Sequence, residues 1–595
     1  MHAFEPLQIA LYRRLWITSV VFGVGHTLQV VAGNWLMLEL TGSPLWVGLM
    51  VASPHLPLVL LAIPSGAMAD TIDRRRVLMF SATLMTISAV GMAGLYLLDL
   101  LTAGRLLALG ILVGIGIAFY VPAWLASVPN LVPKRLLSQA ISLNSASGAV
   151  AMSVGPALGG GLVAAYGFAV PAGVAAIGYL ALLASVLSVR RVRWRDDAGT
   201  RMRTAMATGI RYIRFSAGYR WLLVVTALFG ASSAALRAML PNITSDQLLS
   251  GASSYGLLLG AMGAGALVGA LVRQQGADLL GRRLVPVAIG VYGLIGIAVA
   301  LSRSLAITVV AMAIAGVAWT WTLTTFNSTF QLLAPAWVRA RAMSIYIMAL
   351  FGVVPIGTIA VGLVGDLIGA SPALILSSVA VVVLSGAILR RPLVEAEDLP
   401  APDPVGTRPT EGHPDIRSNH RVMVTTTWTV DPDRLVEFVQ AMDAMRRIRL
   451  RTGAFRWTLY RDVIRPLRFT EVYEIHTWEQ HLQQHERLDT LALEGIAKAS
   501  AFDVGEGPRA VHLVAVDGES VRDPAWSSVD LATHDELHRR DGSIPSEHAH
   551  ASVAPTSPGA SNPGHDGAEG SEGRAARPRG TARGDGSCRH DDPGT

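Results

Sequence analysis

The chemistry this sequence can offer lies in ionisable and aromatic residues set inside apolar runs. His26 sits near the middle of the run 16–38, with Gln29 and Gly33 on the same helical face. His55 stands between Pro54 and Pro57 in the run 46–69, and Arg237 lies near the end of the run 221–241. Tyr120 and Trp124 share one face of the run 106–128, and Trp319 and Asn327 share the run 305–330 with several threonines between them. An ionisable group inside an apolar span is costly, so its default reading is functional. His26, Gln29, Tyr120, Trp124, Arg237, Trp319 and Asn327 are singled out as candidate site residues within the spans. His26 and His55 are the proton-coupling candidates, because histidine changes charge near physiological pH. Each also has a plainer reading. A membrane histidine can simply bond a neighbouring helix, the tryptophans can be packing, and Arg237 can snorkel outward towards Glu39. No carboxylate falls at mid-depth: Glu39, Asp70, Asp99, Asp278 and Asp366 all stand at the ends of runs.

Two further groups are suited to moving helices rather than to bond chemistry. Asp70, Arg74 and Arg75 follow the second run, and Asp278, Arg282 and Arg283 occupy the equivalent place in the second half. A carboxylate near helix N-termini and guanidinium donors forms a latch between helices, and the plainer alternative is a solvated charged loop. Gly155 and Pro156 interrupt the fifth run, and Gly159 and Gly160 let another helix come close. Late in the chain, His481 and His485 are spaced i, i+4 after Trp478, but no third ligand has a defined spacing, so neither a metal nor a cofactor is expected. No catalytic residue is assigned. The single cysteine, Cys588, allows no disulfide within the chain.

The elements that must hold these residues follow from composition. Of 595 residues 51% are hydrophobic and only 15% charged, which excludes an ordinary soluble enzyme. Residues 1–391 hold 26 Lys+Arg against 10 Asp+Glu (net +16), and residues 392–595 hold 23 against 33 (net −10). A basic membrane body is thus joined to an acidic soluble appendage. Nucleic acid is not an expected partner, because the positive charge lies in loops between apolar runs. Twelve runs are long enough to cross a bilayer: 16–38, 46–69, 77–99, 106–128, 138–164 and 168–189, then 221–241, 253–273, 284–301, 305–330, 343–365 and 372–389. The first run stays as a span, being too long for a signal-peptide core. Basic residues alternate between the gaps, 23 on one side against Arg105 and Arg303 on the other. That places both termini in the cytoplasm, in a multi-pass inner-membrane protein.

The halves repeat. A shift of 208 lays Arg74-Arg75 on Arg282-Arg283, and a shift of 202 lays Gly155 on Gly357 and Gly160 on Gly362. Parallel six-helix halves are an architecture of secondary transporters. The stretch Gly66-Ala-Met-Ala-Asp70-Thr-Ile-Asp-Arg74-Arg75-Arg76 resembles the signature loop of the major facilitator superfamily, and Gly155-Pro156-Ala-Leu-Gly159-Gly160 resembles its antiporter motif. Asp73, with Leu40-Thr-Gly-Ser-Pro44, is similar to the enterobactin-exporter-like branch. The resemblance covers about residues 7–391. It implies a central site lined mainly by spans 1, 4, 7 and 10, and with it a substrate-binding role for His26, Gln29, Tyr120, Trp124, Arg237, Trp319 and Asn327. Span 4 departs from the superfamily's proton-antiport pattern, since it lacks a buried arginine.

Residues 392–419 hold six prolines and read as an extended linker. Residues 420–516 follow the order β-α-β-β-α-β of a ferredoxin-like domain. They resemble the antibiotic-biosynthesis-monooxygenase-like α+β barrels, through Trp478, His481 and His485. Residues 517–595 lack apolar periodicity and are expected to be disordered. The organisation expected is a six-helix half (1–190), a basic linker (191–219), a second six-helix half (220–391), a linker (392–419), a small α+β domain (420–516) and a tail (517–595). The fold class expected is an all-α polytopic membrane protein of twelve helices with a small cytoplasmic α+β domain. The function expected is export of a small, partly lipophilic molecule, a siderophore or drug-like, by alternating access with proton coupling. Its partners would be that molecule and the lipid bilayer, with homodimerisation through 420–516. The alternative is a membrane-tethered sensor or cofactor-free monooxygenase working in 420–516.

Overall fold

The structure, a computed structural model, describes residues 2–61, 73–188, 210–335, 337–393, 421–505 and 507–515. Asp70, the tail 517–595, residues 191–209 of the basic linker and residues 394–419 of the second linker lie outside the described residues. Backbone polar groups have no partner in hydrocarbon except one another, so each apolar run closes its own bonds as a helix. The first half comprises α1 (Ala10–Thr41), α2 (Pro44–Ala52), α3 (His55–Leu60), α4 (Arg74–Leu97), α5 (Ala103–Leu131), α6 (Leu137–Tyr166) and α7 (Ala169–Leu187). The second comprises α8 (Ala217–Asn242), α9 (Ala252–Leu271), α10 (Arg273–Leu280), α11 (Leu284–Leu301), α12 (Leu305–Leu333), α13 (Arg339–Phe351), α14 (Val354–Ile368) and α15 (Ala370–Arg390).

Among the described residues eleven helices are long and apolar enough to cross a membrane. They match the expected runs except 46–69, which appears as the short helices α2 and α3. Ser53 and Pro54 separate these two, and residues 62–72 lie outside the described residues. The side on which α1 begins is here called near, and the side on which it ends, far.

Short turns set the alternation. Gly42 takes a left-handed φ of 62° and its N–H bonds the Leu38 carbonyl, closing α1. Ser43 then caps α2 by accepting from the Trp46 N–H, with Pro44 in the first turn. Within the first half, α1 packs on α6 and α7, and α4 on α5 and α7. In the second, α9 packs on α12, and α11 on α12 and α15.

The halves meet chiefly on the far side, through α6 against α9 and α2 against α14. Both crossings bring backbone against backbone. A Cβ on Gly256 would lie 2.6 Å from the Pro156 carbonyl oxygen and 2.7 Å from Gly160 Cα. One on Gly362 would lie 2.9 Å from Leu45 Cα. Small residues let helices approach this closely in lipid, where association depends on packing rather than on the hydrophobic effect.

The appendage holds β1 (Val422–Thr429), α16 (Leu435–Thr452), β2 (Arg456–Arg461), β3 (Arg468–Ile475), α17 (Trp478–Glu486), α18 (Thr490–Ser500) and β4 (Arg509–Val514). The strand order is β2-β3-β1-β4, with every neighbouring pair antiparallel. The expected second helix is broken in two, because Asp489 caps a new helix by accepting from the Ala492 N–H. Trp428, Phe438, Met442, Met445, Phe469 and Phe502 form the core between sheet and helices.

Gly256→Leu should wedge α6 from α9. Overpacking of this kind costs about 1–3 kcal/mol. The detergent-solubilised variant is expected to melt below the parent. Gly161→Leu, where nothing lies within 4 Å of an added Cβ, is the control and should melt normally. Equal melting of both variants would refute the close crossing.

Candidate functional site

In the first half the polar residues form a chain. Tyr179, on α7, donates to Gln29 Oε1 at 2.7 Å and lies 3.1 Å from His26 Nδ1. Gln29 Nε2 meets Met92 Sδ at 3.0 Å. Phe22 packs beside the chain, its ring 4.6 Å from Tyr120 and 5.5 Å from Tyr179. Helical spacing puts His26 and Gln29 on one face, and Tyr179 of the directly packed α7 meets both. Trp124 stacks on Tyr120 and donates its indole N–H to Asn144 Oδ1 at 2.8 Å, binding α5 to α6.

In the second half the aromatic residues gather around a cation. The Arg237 guanidinium lies 5.1 Å from the centre of the Trp319 ring. Phe229 and Tyr292 pack against the same indole at 5.3 and 5.7 Å. Such stacking is favourable when the cation is desolvated. Arg237 Nε is buried without a hydrogen-bond partner, as are Ser233 Oγ and both side-chain polar atoms of Asn242. The charge of Arg237 reaches Tyr255 and Tyr292 of its own half and His55 of the other. His55 in turn bonds the Val51 carbonyl and stacks on Phe351 of α13, so it too lies between the halves. Arg237 does not pair with Glu39, whose carboxylate accepts from the Trp35 indole. Asn327 is exposed near the near-side end of α12 and accepts from Gln331, away from the Arg237 group. The residues expected to line one site thus fall into two groups, one per half.

The charged ends are more specific than their sequence showed. Arg75 donates to the Val186 and Leu187 carbonyls at 3.2 and 2.7 Å, at the C-terminus of α7, where a cation is favoured. Asp73 caps α4 through the Arg75 N–H. Asp278 accepts from Gln274, and Arg282 and Arg283 begin the next span from a short turn. Gly155 and Gly159 pack against α1, where a Cβ on Gly159 would lie 2.8 Å from the Leu28 carbonyl oxygen, whereas Gly160 faces α9. Pro156 lies inside the continuous α6.

One functional contact was missed. Asp366, at the far end of α14, accepts from Ser43 Oγ at 2.9 Å and from the Leu45 N–H at 3.2 Å. A carboxylate of one half therefore caps the N-terminus of α2 in the other. Its signal was present, since Leu40-Thr-Gly-Ser-Pro44 is a helix stop followed by a helix start, but only the fold supplies the partner.

The appendage encloses its own polar cluster. Arg449 Nε and Trp457 Nε1 donate to Glu471 Oε1 at 3.3 and 2.6 Å, and Arg449 lies over the Tyr473 ring. His481 packs among Trp478, His485 and His512. Glu471 Oε2, His481 Nδ1 and Gln484 Oε1 are buried without a partner. Among the described residues no group of three or more metal-ligating side chains is arranged to hold an ion.

A family model described as transmembrane secretion effector matches residues 1–521. The chain is similar to the multidrug efflux pump Tap of Mycolicibacterium fortuitum, 30% identical over 168 residues, 27% of this chain and 40% of that protein. It is similar to the staphyloferrin A transporter of Staphylococcus aureus, 23% identical over 243 residues, 40% and 61% of the two chains. It is also similar to the enterobactin exporter EntS of Citrobacter koseri, 26% identical over 310 residues, 49% and 70% of the two. The match thus spans less than two thirds of the first two relatives. Among solved structures, a bacterial homolog of the lysosomal transporter Spinster, inward-facing and occupied, aligns with a TM-score of 0.52 at 16% identity, covering 67% of this chain and 99% of that one. The nucleoside transporter NupG aligns with a TM-score of 0.52 at 14% identity, covering 64% and 98%. These two likenesses show the fold.

Asp366→Ala removes an acceptor of charge-assisted bonds, worth about 1.5–3 kcal/mol each. The variant is expected to make a cysteine at Ser153 several-fold more reactive from the far side, in a Cys588→Ser background. Unchanged labelling would exclude a far-side tie. In the appendage, burial first, then the charges of His485, His512 and Arg449, hold the His481 pKa far below its ordinary 6.5. The folded value lies below the unfolded one, so the stability His481 contributes is complete above about pH 6.5 and is lost as pH falls from there. Amide protection factors in α17 and α18 should therefore fall from about pH 7 to about pH 5, although intrinsic exchange itself slows over that range. His481→Gln should flatten that dependence, and identical slopes would contradict the assignment.

Proposed function

Because the chain belongs to the transmembrane secretion effector family, we propose that it exports a small, partly lipophilic molecule with an anionic group, siderophore or drug-like, across a bacterial inner membrane. It is a membrane transporter of the major facilitator fold, not an enzyme of ordinary kind, and alternating access is its mode of transport. The observation that carries the substrate reading is Arg237. This cation is held on Trp319 inside a span, its Nε lacks an acceptor, and its field reaches the opposite half. A carboxylate or catecholate supplies the missing acceptor, and the aromatic group formed by Trp319, Phe229 and Tyr292 suits an apolar body. The relatives named as a multidrug efflux pump, a staphyloferrin A transporter and an enterobactin exporter support the same range of cargo.

The cycle follows from the contacts. With the far side joined through α6–α9 and α2–α14, cargo enters from the near side, which is the cytoplasmic side in this reading, and the span missing from the eleven is the second of twelve. Separation of the far-side crossings releases it. Asp70, Arg74 and Arg75, with Asp278, Arg282 and Arg283, latch the near side in the other state, and His26 and His55 carry the coupled proton. The β2-β3-β1-β4 order with helices on one face supports a ferredoxin-like reading of the appendage. The buried polar cluster around His481 supports ligand sensing there, ahead of monooxygenase chemistry.

Arg237→Gln should lower export of anionic substrates at least tenfold in a cell-accumulation screen, while neutral substrates of similar size change little. A uniform loss across both classes would defeat the anion assignment. Deleting residues 392–595 should leave flux in place. Flux that vanishes, together with product formation by the intact protein, would favour the enzymatic alternative.

A further inference from the structure

The appendage packs against the near-side end of the second half, and the seam is built from like charges. Three aromatic residues of the membrane half form its floor. Phe215 joins the apolar cluster of Val422, Val424, Leu450 and Ile475. Tyr212 packs edge-on against Trp337 at 5.5 Å. The Trp337 face is covered by the Arg487 guanidinium of the appendage at 4.7 Å, and its indole N–H is buried without an acceptor.

Around this floor the two surfaces present arginines to each other. A groove of about 350 Å³ is lined by Arg214, Phe215 and Arg220 from the membrane half and by Asp443, Arg446 and Arg447 from α16. Its carboxylate is already engaged, since Arg447 Nη1 lies 2.6 Å from Asp443 Oδ2. At the other end of the seam, Arg487 feels the charges of Arg341 and Arg211 on the membrane half, with Glu486 opposing. Burial, then these like charges, bring the Arg487 pKa down to about 10. Nearby, Arg451 holds Asp489 through both carboxylate oxygens at 2.9 and 2.8 Å. Arginines on facing surfaces repel when brought together in a partly desolvated seam, and Asp443 and Asp489 are each held by an arginine of the appendage. Among the described residues lining the groove, four arginines share the one carboxylate of Asp443, which leaves room for an added anion.

We propose that this seam is a binding site for a phosphate-bearing anion. The phosphate lies in the groove between Arg214 and Arg220 on one wall and Arg446 and Arg447 on the other, so that it ties the appendage to the membrane half. Arginine forks suit phosphate oxygens. The groove opens where α8 begins, at headgroup level, where basic residues next to a span recruit anionic lipid. The phosphate can therefore come from a lipid headgroup or from a soluble compound. This inference does not depend on which molecule is exported.

The test uses the full-length protein in nanodiscs of phosphatidylcholine, with or without phosphatidylglycerol. Retained lipid is counted by native mass spectrometry, and melting is followed against inorganic phosphate. The variants are Arg214→Gln with Arg220→Gln, and Arg446→Gln with Arg447→Gln. Arg14→Gln, at the start of α1, is the control. All replaced side chains are exposed, so folding should survive. The expected result is preferential retention of phosphatidylglycerol, weakened about tenfold by either pair and not by the control. If lipid shows no preference but phosphate raises the melting temperature saturably, and either pair abolishes this, the site stands with a soluble ligand. The proposal is overturned if neither probe binds, if the control weakens binding as much as the pairs do, or if only the membrane-side pair matters, because the anion would then not bridge.

Discussion

Where α6 crosses α9, the room a Cβ would need at Gly256 is already filled by the Pro156 carbonyl oxygen and by Gly160. That steric condition governs the assembly of the two halves. In hydrocarbon no water is released when helices meet, so two bundles stay together only by close dispersion contact and by whatever bonds their ends can make. The α2–α14 crossing repeats the condition with Gly48 and Gly362. Asp366 then adds a directional tie at the rim, where water begins.

The interior polar groups have to be understood against that apolar frame. In the first half Tyr179 serves Gln29 and His26 together and Trp124 is bound to Asn144, with Asn34 Oδ1 left buried without a partner. The second half leaves more, since Arg237 Nε, Ser233 Oγ and both polar atoms of Asn242 are buried without partners. Leaving such atoms unpaired costs stability, and most of that cost falls on the second half. The appendage repeats this contrast on a smaller scale, with a well-filled apolar core beside a polar cluster whose outermost atoms lack partners.

Much of the frame was legible in the sequence because the bilayer imposes a length and a composition. Eleven runs became helices with ends shifted by only a few residues. The second span was less regular, since Pro54 and Pro57 stand where a continuous helix would need its bonds. The appendage strands were legible from alternation, but the capping role of Asp489 was not weighed, so one helix was expected where two form. The site was harder to see. Residue type marked His26, Gln29 and Arg237 as unusual in their spans, yet nothing in a linear chain says that Tyr179 completes one group or that Trp319 completes the other. Asn327 lies on the expected helix, exposed and bonded to Gln331 rather than to the Arg237 group. Asp366 was dismissed as an end charge because its value depends on Ser43, more than three hundred positions away.

The stacking of Arg237 on Trp319 carries a consequence for energetics beyond recognition. Among the described residues no carboxylate neutralises this guanidinium, so the second half bears a net charge within the low-dielectric slab. Any rocking that shifts this charge along the membrane normal does electrical work, about 2.3 kcal/mol for each full elementary charge moved through 100 mV. An anionic cargo would cancel the charge for the loaded passage and restore it for the empty return. The cell's voltage would then act mainly on the unloaded carrier, setting how quickly it resets rather than how tightly it grips.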